Sequence, residues 1–211
     1  MAAMDEPRLN RRTLLVGGGL VAFAAIAFVL VPLALMAVTP HYHGTLYDEP
    51  VAIDFSLPRA DGGTFRLADY RGQVVALYFG YTSCPDVCPT TLYDLHRTLQ
   101  ALGDQGREVV VAFVTVDPDV DTPDRLVTYL AAFDPAFIGL YGAPDQLQSV
   151  YDRFGVTVIS EQETAGSYRL AHTGSVFVVD RAGHLRLRLH AGAAPQDMAS
   201  DLHFLLRERV P

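Results

Sequence analysis

Residues 13–38 (TLLVGGGLVAFAAIAFVLVPLALMAV) carry no charge and exceed the roughly 20 apolar residues an α-helix needs to cross a bilayer, so they predict one N-terminal transmembrane helix. From residue 53 to residue 73, apolar and polar positions alternate around Asp61-Gly62-Gly63, which predicts a short hairpin with its turn at that triplet. Residues 74–79 (VVALYF) and 109–116 (VVVAFVTV) are continuous apolar runs of the kind found in strands buried on both faces. Between them Leu92, Leu95, Leu99 and Leu102 recur at three- and four-residue spacing, and Gly103 stands where a C-cap belongs. Strand, helix, strand over so short a span is a βαβ unit with parallel strands.

The alternation continues. Thr122-Pro123 opens a second helix to about residue 133, with Pro at its first position. A short strand over 138–141 leads to a third helix over 144–154, closed by Gly155. Residues 175–180 and 184–190 flank Arg181-Ala182-Gly183 as an antiparallel hairpin, and Pro195 begins a last helix to about Arg209. A mixed sheet flanked by helices, led by a βαβ unit and finished by a hairpin and helix, is the thioredoxin-like α/β arrangement. The domain layout expected is a cytoplasmic N-terminus over 1–12, the span over 13–38, a tether over 39–50 and one thioredoxin-like domain over 51–211.

Arg8, Arg11 and Arg12 precede the span, and basic residues stay on the cytoplasmic side, which places the C-terminal domain outside the cytoplasm, on the periplasmic or extracellular face of the cell membrane. The apolar run is longer than a signal-peptide core and no A-x-A site closes it, so an uncleaved anchor is expected; Arg11-Arg12 is only a faint twin-arginine signal. Beyond residue 39, 13 arginines face 22 carboxylates, about −9, which argues against nucleic acid as a partner. Disulfides form and persist in the compartment so inferred.

That compartment gives the chain's two cysteines their interest. Cys84 and Cys88 stand in YFGYTSCPDVCPTTLYDL, at the end of the first buried strand and the start of the helix. As a structural staple they would close a very short ring, which loop entropy rewards little. Two thiolates so placed can also exchange with a disulfide or hold a soft metal ion. Pro89 inside a helix begun at Pro85 would clash with the carbonyl four residues back, so the regular helix is predicted to start at Pro89, with Cys88 at its cap and Cys84 one turn earlier. The positive end of a helix favours negative charge, and a lowered thiol pKa follows as an expectation. The carboxyl end of a parallel strand is where open α/β sheets gather their sites.

Thioredoxin-type oxidoreductases use C-x-x-C, and the extra residue here loosens the inference to redox work. Val87-Cys88-Pro89-Thr90 is similar to the surroundings of a peroxidatic cysteine, but Pro85 and Tyr81 stand where that pattern requires Thr or Ser and Pro. A copper site needs a third ligand, and two thiolates with an imidazole suit the ion in either oxidation state. Of the seven histidines His172 is placed best, just before the strand over 175–180, where such folds bring a loop over the cysteines. A structural hydrogen-bonding role is its other reading. His41 and His43 belong to the tether, and His96, His184, His190 and His203 read as solvated surface. Asp117, Asp119 and Asp121 form D-x-D-x-D, yet Thr122 and Thr128 occupy the Gly and Glu places of a calcium loop. Asp121 or Thr122 is expected to cap the second helix, and Asp117 to lie near the cysteines.

Taken in order, C-P-D-V-C-P at 84–89, V-D-P-D-V-D-T-P at 116–123 and His172 before a VFVVD strand resemble the Sco/SenC family of membrane-anchored copper proteins needed for cytochrome c oxidase assembly, over residues from about 50 to 209. The resemblance implies Cys84, Cys88 and His172 as ligands of one copper ion, Cu(I) or Cu(II). It implies a metallochaperone without turnover chemistry that delivers copper to the dinuclear site of the oxidase's copper-bearing subunit, served by a thiol reductant or another copper carrier. The alternative is a thiol-disulfide reductase in which Cys84 and Cys88 are the redox pair that keeps a partner's copper-binding cysteines reduced. A third reading is a disulfide-stapled interaction module.

Overall fold

The computed structural model describes residues 24–31, 41–162, 168–172 and 174–208. Residues 24–31, part of the expected span, are helical; the rest of that span lies outside the described residues. Among the described residues no helix is long and apolar enough to cross a membrane.

The chain from Tyr42 onward forms its own compact unit. Its centre is β4 (Val74–Gly80), every residue of which is buried, beside β5 (Val109–Thr115) in parallel register from Val74↔Val109 to Gly80↔Thr115. The crossover between them is α1 (Val87–Leu102). Strand β6 (Ile138–Leu140) extends the parallel side; β9 (Val176–Val179) and β10 (His184–Leu189) continue antiparallel on the other side of β4, and β1 (Thr45–Ala52) closes that edge. The six strands therefore run β1-β10-β9-β4-β5-β6. The hairpin around Asp61-Gly62-Gly63 is β2 (Ser56–Pro58) with β3 (Thr64–Arg66).

Successive side chains of a strand point to opposite faces, and β4 shows what covers each. Tyr78 lies against Phe113 on the face that also receives Cys88 of α1. Phe79, one residue on, meets Tyr151 and Phe154 of the helix over Pro144–Phe154 (α3 here, after α2 over Pro123–Ala131) and Phe177 of β9, at ring separations of 6.0, 5.4 and 5.7 Å. Helices thus cover both faces, which is why the strand reads as an unbroken apolar run. The last helix, α4 (Pro195–Arg207), packs on α1.

Three local expectations need correction. The helix after the cysteines starts at Val87, two residues before Pro89. Pro89 is tolerated because the carbonyl four residues back belongs to Pro85, outside the helix, and the first-turn N–H it lacks would have had no helical partner. The segment read as a tether supplies β1 and is tied to α4: the carboxylate of fully buried Asp201 accepts the backbone N–H groups of His43 (2.9 and 3.1 Å) and Gly44 (2.8 Å). Finally, His172 lies at the end of a strand, β8 (Tyr168–His172), which pairs with β7 (Val158–Gln162) in the register Val158↔His172.

Candidate metal centre

Strand β4 ends at Gly80, and Tyr81-Thr82-Ser83 carry the chain to Cys84, whose N–H donates to the carbonyl of Tyr81 (3.2 Å). Cys88 is the second residue of α1, so both cysteines sit at the strand-to-helix turn, and the N–H of Cys88 reaches the sulfur of Cys84 at 3.5 Å. Both are free thiols. Their exposure differs: Cys84 keeps 9% of its surface and Cys88 none. Gly80 makes room for the inner one, since a Cβ there would stand 3.0 Å from the Cys88 sulfur and 2.8 Å from the Phe113 ring.

The expectation of a lowered thiol pKa fails for Cys88. Burial pushes it up to about 12, against the nearby Tyr78 side chain and Tyr81 backbone, which favour the thiolate. Desolvation of a group with no exposed surface outweighs the helix end. At neutral pH the inner sulfur is a thiol, and a metal ion binding it must displace that proton.

Five of the remaining histidines are engaged elsewhere. His43 pairs with Asp201 (3.1 Å), His96 with Asp134 (3.0 Å), His184 with Asp180 (3.6 Å), His190 with Thr45 (2.9 Å) and His203 with Gln105 (2.8 Å). Among the described residues no group of three or more His, Cys, Asp or Glu is arranged to hold a metal ion. The imidazole of His172 lies outside the described side chains, but the course of its strand is known. The N–H of Leu170, two residues before His172, donates to the hydroxyl of Tyr81 at 3.4 Å, so β8 passes over the segment that leads into Cys84. Two sulfur donors spaced i, i+4 are a soft pair, of the kind that favours Cu(I) over hard cations.

Thr122 caps α2 by accepting the Arg125 N–H (3.3 Å), one of the two residues expected there. Asp117 is buried at the end of β5, where its N–H donates to Thr115 Oγ1 (3.0 Å) and its carbonyl accepts from Val120 and Asp121. Asp121 has another task, missed by sequence reasoning: its carboxylate crosses to the cysteine loop and accepts from Thr82. Only its place in D-P-x-x-D-T-P, after a parallel strand neighbouring the cysteine strand, hinted at it.

A mixed sheet with helices on both faces and a dithiol at the turn after its central strand define a thioredoxin-like protein with a soft-metal or redox site. The chain belongs to the SCO1/SenC family, which matches it over residues 44–207. It is 32% identical over 167 residues to an SCO2-like protein of Rickettsia conorii, covering 77% of this chain and 80% of that one. Among solved structures, it is similar to ScoI of Bradyrhizobium japonicum with copper bound (32% identity, 74% of this chain and 99% of that, TM-score 0.68). It is also similar to apo Sco1 of Thermus thermophilus (37% identity, 80% and 99%, TM-score 0.72).

Proposed function

We propose that this chain carries one copper ion on Cys84, Cys88 and His172 and hands it to the dinuclear copper site of cytochrome c oxidase while that enzyme is assembled. Membership of the SCO1/SenC family makes it a copper-binding protein of oxidase assembly. The ligand set, the receiving subunit and the topology are our reading. The observation that carries the ligand set is the Leu170-to-Tyr81 hydrogen bond, which supports a His172-bearing strand above the dithiol. In that reading residues 13–38 anchor the protein in the membrane and the domain from Tyr42 works outside the cytoplasm, where a thiol reductant or another copper carrier prepares it.

The ion is cargo, and the chain's own residues account for its capture. Cys84, which alone of the two keeps any contact with water, meets it first; the inner thiol of Cys88 loses its proton as the second sulfur binds; Tyr78 and Tyr81 stabilise the thiolate so formed. A free dithiol whose outer sulfur keeps some contact with water also suits thiol-disulfide exchange, so reduction of a partner's cysteines is the second reading. Imidazole is needed for copper and not for exchange. Oxidase assembly in cells carrying His172→Ala is therefore expected to fail as it does with Cys84→Ser. Normal assembly in His172→Ala with failure in Cys84→Ser would make the protein a reductase.

A further inference from the structure

The loop before Cys84 is held by a network that contains none of the three proposed ligands, although its carboxylate, Asp121, lies in the 116–123 motif. Asp121, 2% exposed, accepts the Thr82 N–H with both oxygens (3.2 Å each), the Thr82 hydroxyl (2.5 Å) and the Thr115 hydroxyl (2.6 Å). Thr82 Oγ1 in turn accepts from Arg125 Nε (2.5 Å), and a second guanidinium N–H of Arg125 donates to Ser83 Oγ (3.0 Å). A buried carboxylate and an exposed guanidinium are thus joined through the hydroxyl of the residue two positions before Cys84. The network spans three elements: the loop after β4, the end of β5 through Thr115, and the start of α2 through Arg125. Charge-assisted hydrogen bonds of this kind are about twice as strong as neutral ones, and a buried carboxylate with fewer donors would be costly. Nothing in this arrangement is required to build the sheet, whose strands are already paired to Gly80 and Thr115.

We propose that Asp121, Thr82 and Arg125 are positioning residues that hold Cys84 at the distance from Cys88 at which both sulfurs can take one metal ion. The proposal rests on the copper reading of that pair. Fixing Thr82 and Ser83 leaves Cys84 with little freedom to swing away, so the two-sulfur site is formed before the ion arrives and binding does not have to order the loop. Release of the network lets Cys84 move and lowers the affinity.

The experiment measures Cu(I) affinity of the full chain by competition with a Cu(I) chelator, and the Cu(II)–thiolate charge-transfer absorption, for Thr82→Val, Thr82→Ser, Arg125→Gln and Cys84→Ser. Loss of an outer partner of a metal site costs about 10–100-fold in affinity, so Thr82→Val is expected to lose about tenfold or more and to shift the absorption band. Thr82→Ser, which keeps the hydroxyl, is expected to retain both, a rescue that a cavity effect would not give. Arg125→Gln, on an exposed side chain, is expected to lose about tenfold by the same outer-partner logic, and decides the matter should Thr82→Val fail to fold. Wild-type affinity and an unmoved band in Thr82→Val and Arg125→Gln, with copper lost in Cys84→Ser, would overturn the positioning role alone. Copper retained in Cys84→Ser would remove the metal from this turn and the inference with it.

Discussion

The two cysteines are chemically unequal, although the sequence presents them as a pair. Cys84 stands in the loop with some surface in contact with water, while Cys88 is sealed between Tyr78, Gly80 and Phe113. A thiol held above its ordinary value favours the fold while it keeps its proton. The contribution of Cys88 is therefore complete below the unfolded value near 8.5 and is lost as pH rises from there to about 12. The thiolate is the nucleophile, so brief treatment of the folded, metal-free chain with iodoacetamide is expected to label Cys84 alone, even at about pH 9.5, and to reach Cys88 only in denaturant. Mass spectrometry of the digested protein reads the sites. Equal labelling of both in the folded chain would mean that the inner thiol is open, and that the asymmetry on which the order of capture depends is absent.

At the level of elements, what the sequence declares most openly is burial. β4 and β5 are apolar on both faces because helices cover both, and α1 and α3 show their core stripes at helical spacing, so their places were legible residue by residue. β1 was not, because all its residues but Tyr47 are exposed and backbone pairing to β10 rather than apolar contact holds it; a strand without a buried face reads as a tether. The β7–β8 hairpin was missed for a related reason: Val158-Ile-Ser-Glu-Gln and Tyr168-Arg-Leu-Ala-His lack a sustained alternation and no tight-turn dipeptide joins them. The thiol pair was visible, whereas the carboxylate that steadies its loop was not, since Asp121 reaches Thr82 only through the parallel pairing of two strands. Asp201 is a second long-range link of this kind. Removing it strands two backbone N–H groups, and Asp201→Ala is expected to cost about 2 kcal/mol or more and to speed amide exchange in residues 43–52 while leaving β4 protected. Unchanged exchange there would show that pairing to β10 suffices to hold β1.

Across the whole molecule, the compact unit from Tyr42 ends its parallel β4–β5 ladder at the turn that carries both cysteines, and β8 belongs to a separate two-stranded sheet later in the chain. In the proposed reading such a division suits a carrier: two sulfurs stand at the turn that ends the central strand, and His172 is brought by a hairpin outside the main sheet. The chain's net charge of −8 gives it a field that attracts cations and basic surfaces and weakens with salt. If one copper ion is held by Cys84, Cys88 and His172 as proposed, X-ray absorption at the copper edge of the reduced full chain, loaded with one equivalent of Cu(I), reads those neighbours directly. One copper per chain is expected, with two sulfur neighbours and one nitrogen, the nitrogen lost in His172→Ala and the ion lost in Cys84→Ser and Cys88→Ser. A copper shell without sulfur, or wild-type loading of either serine variant, would contradict it.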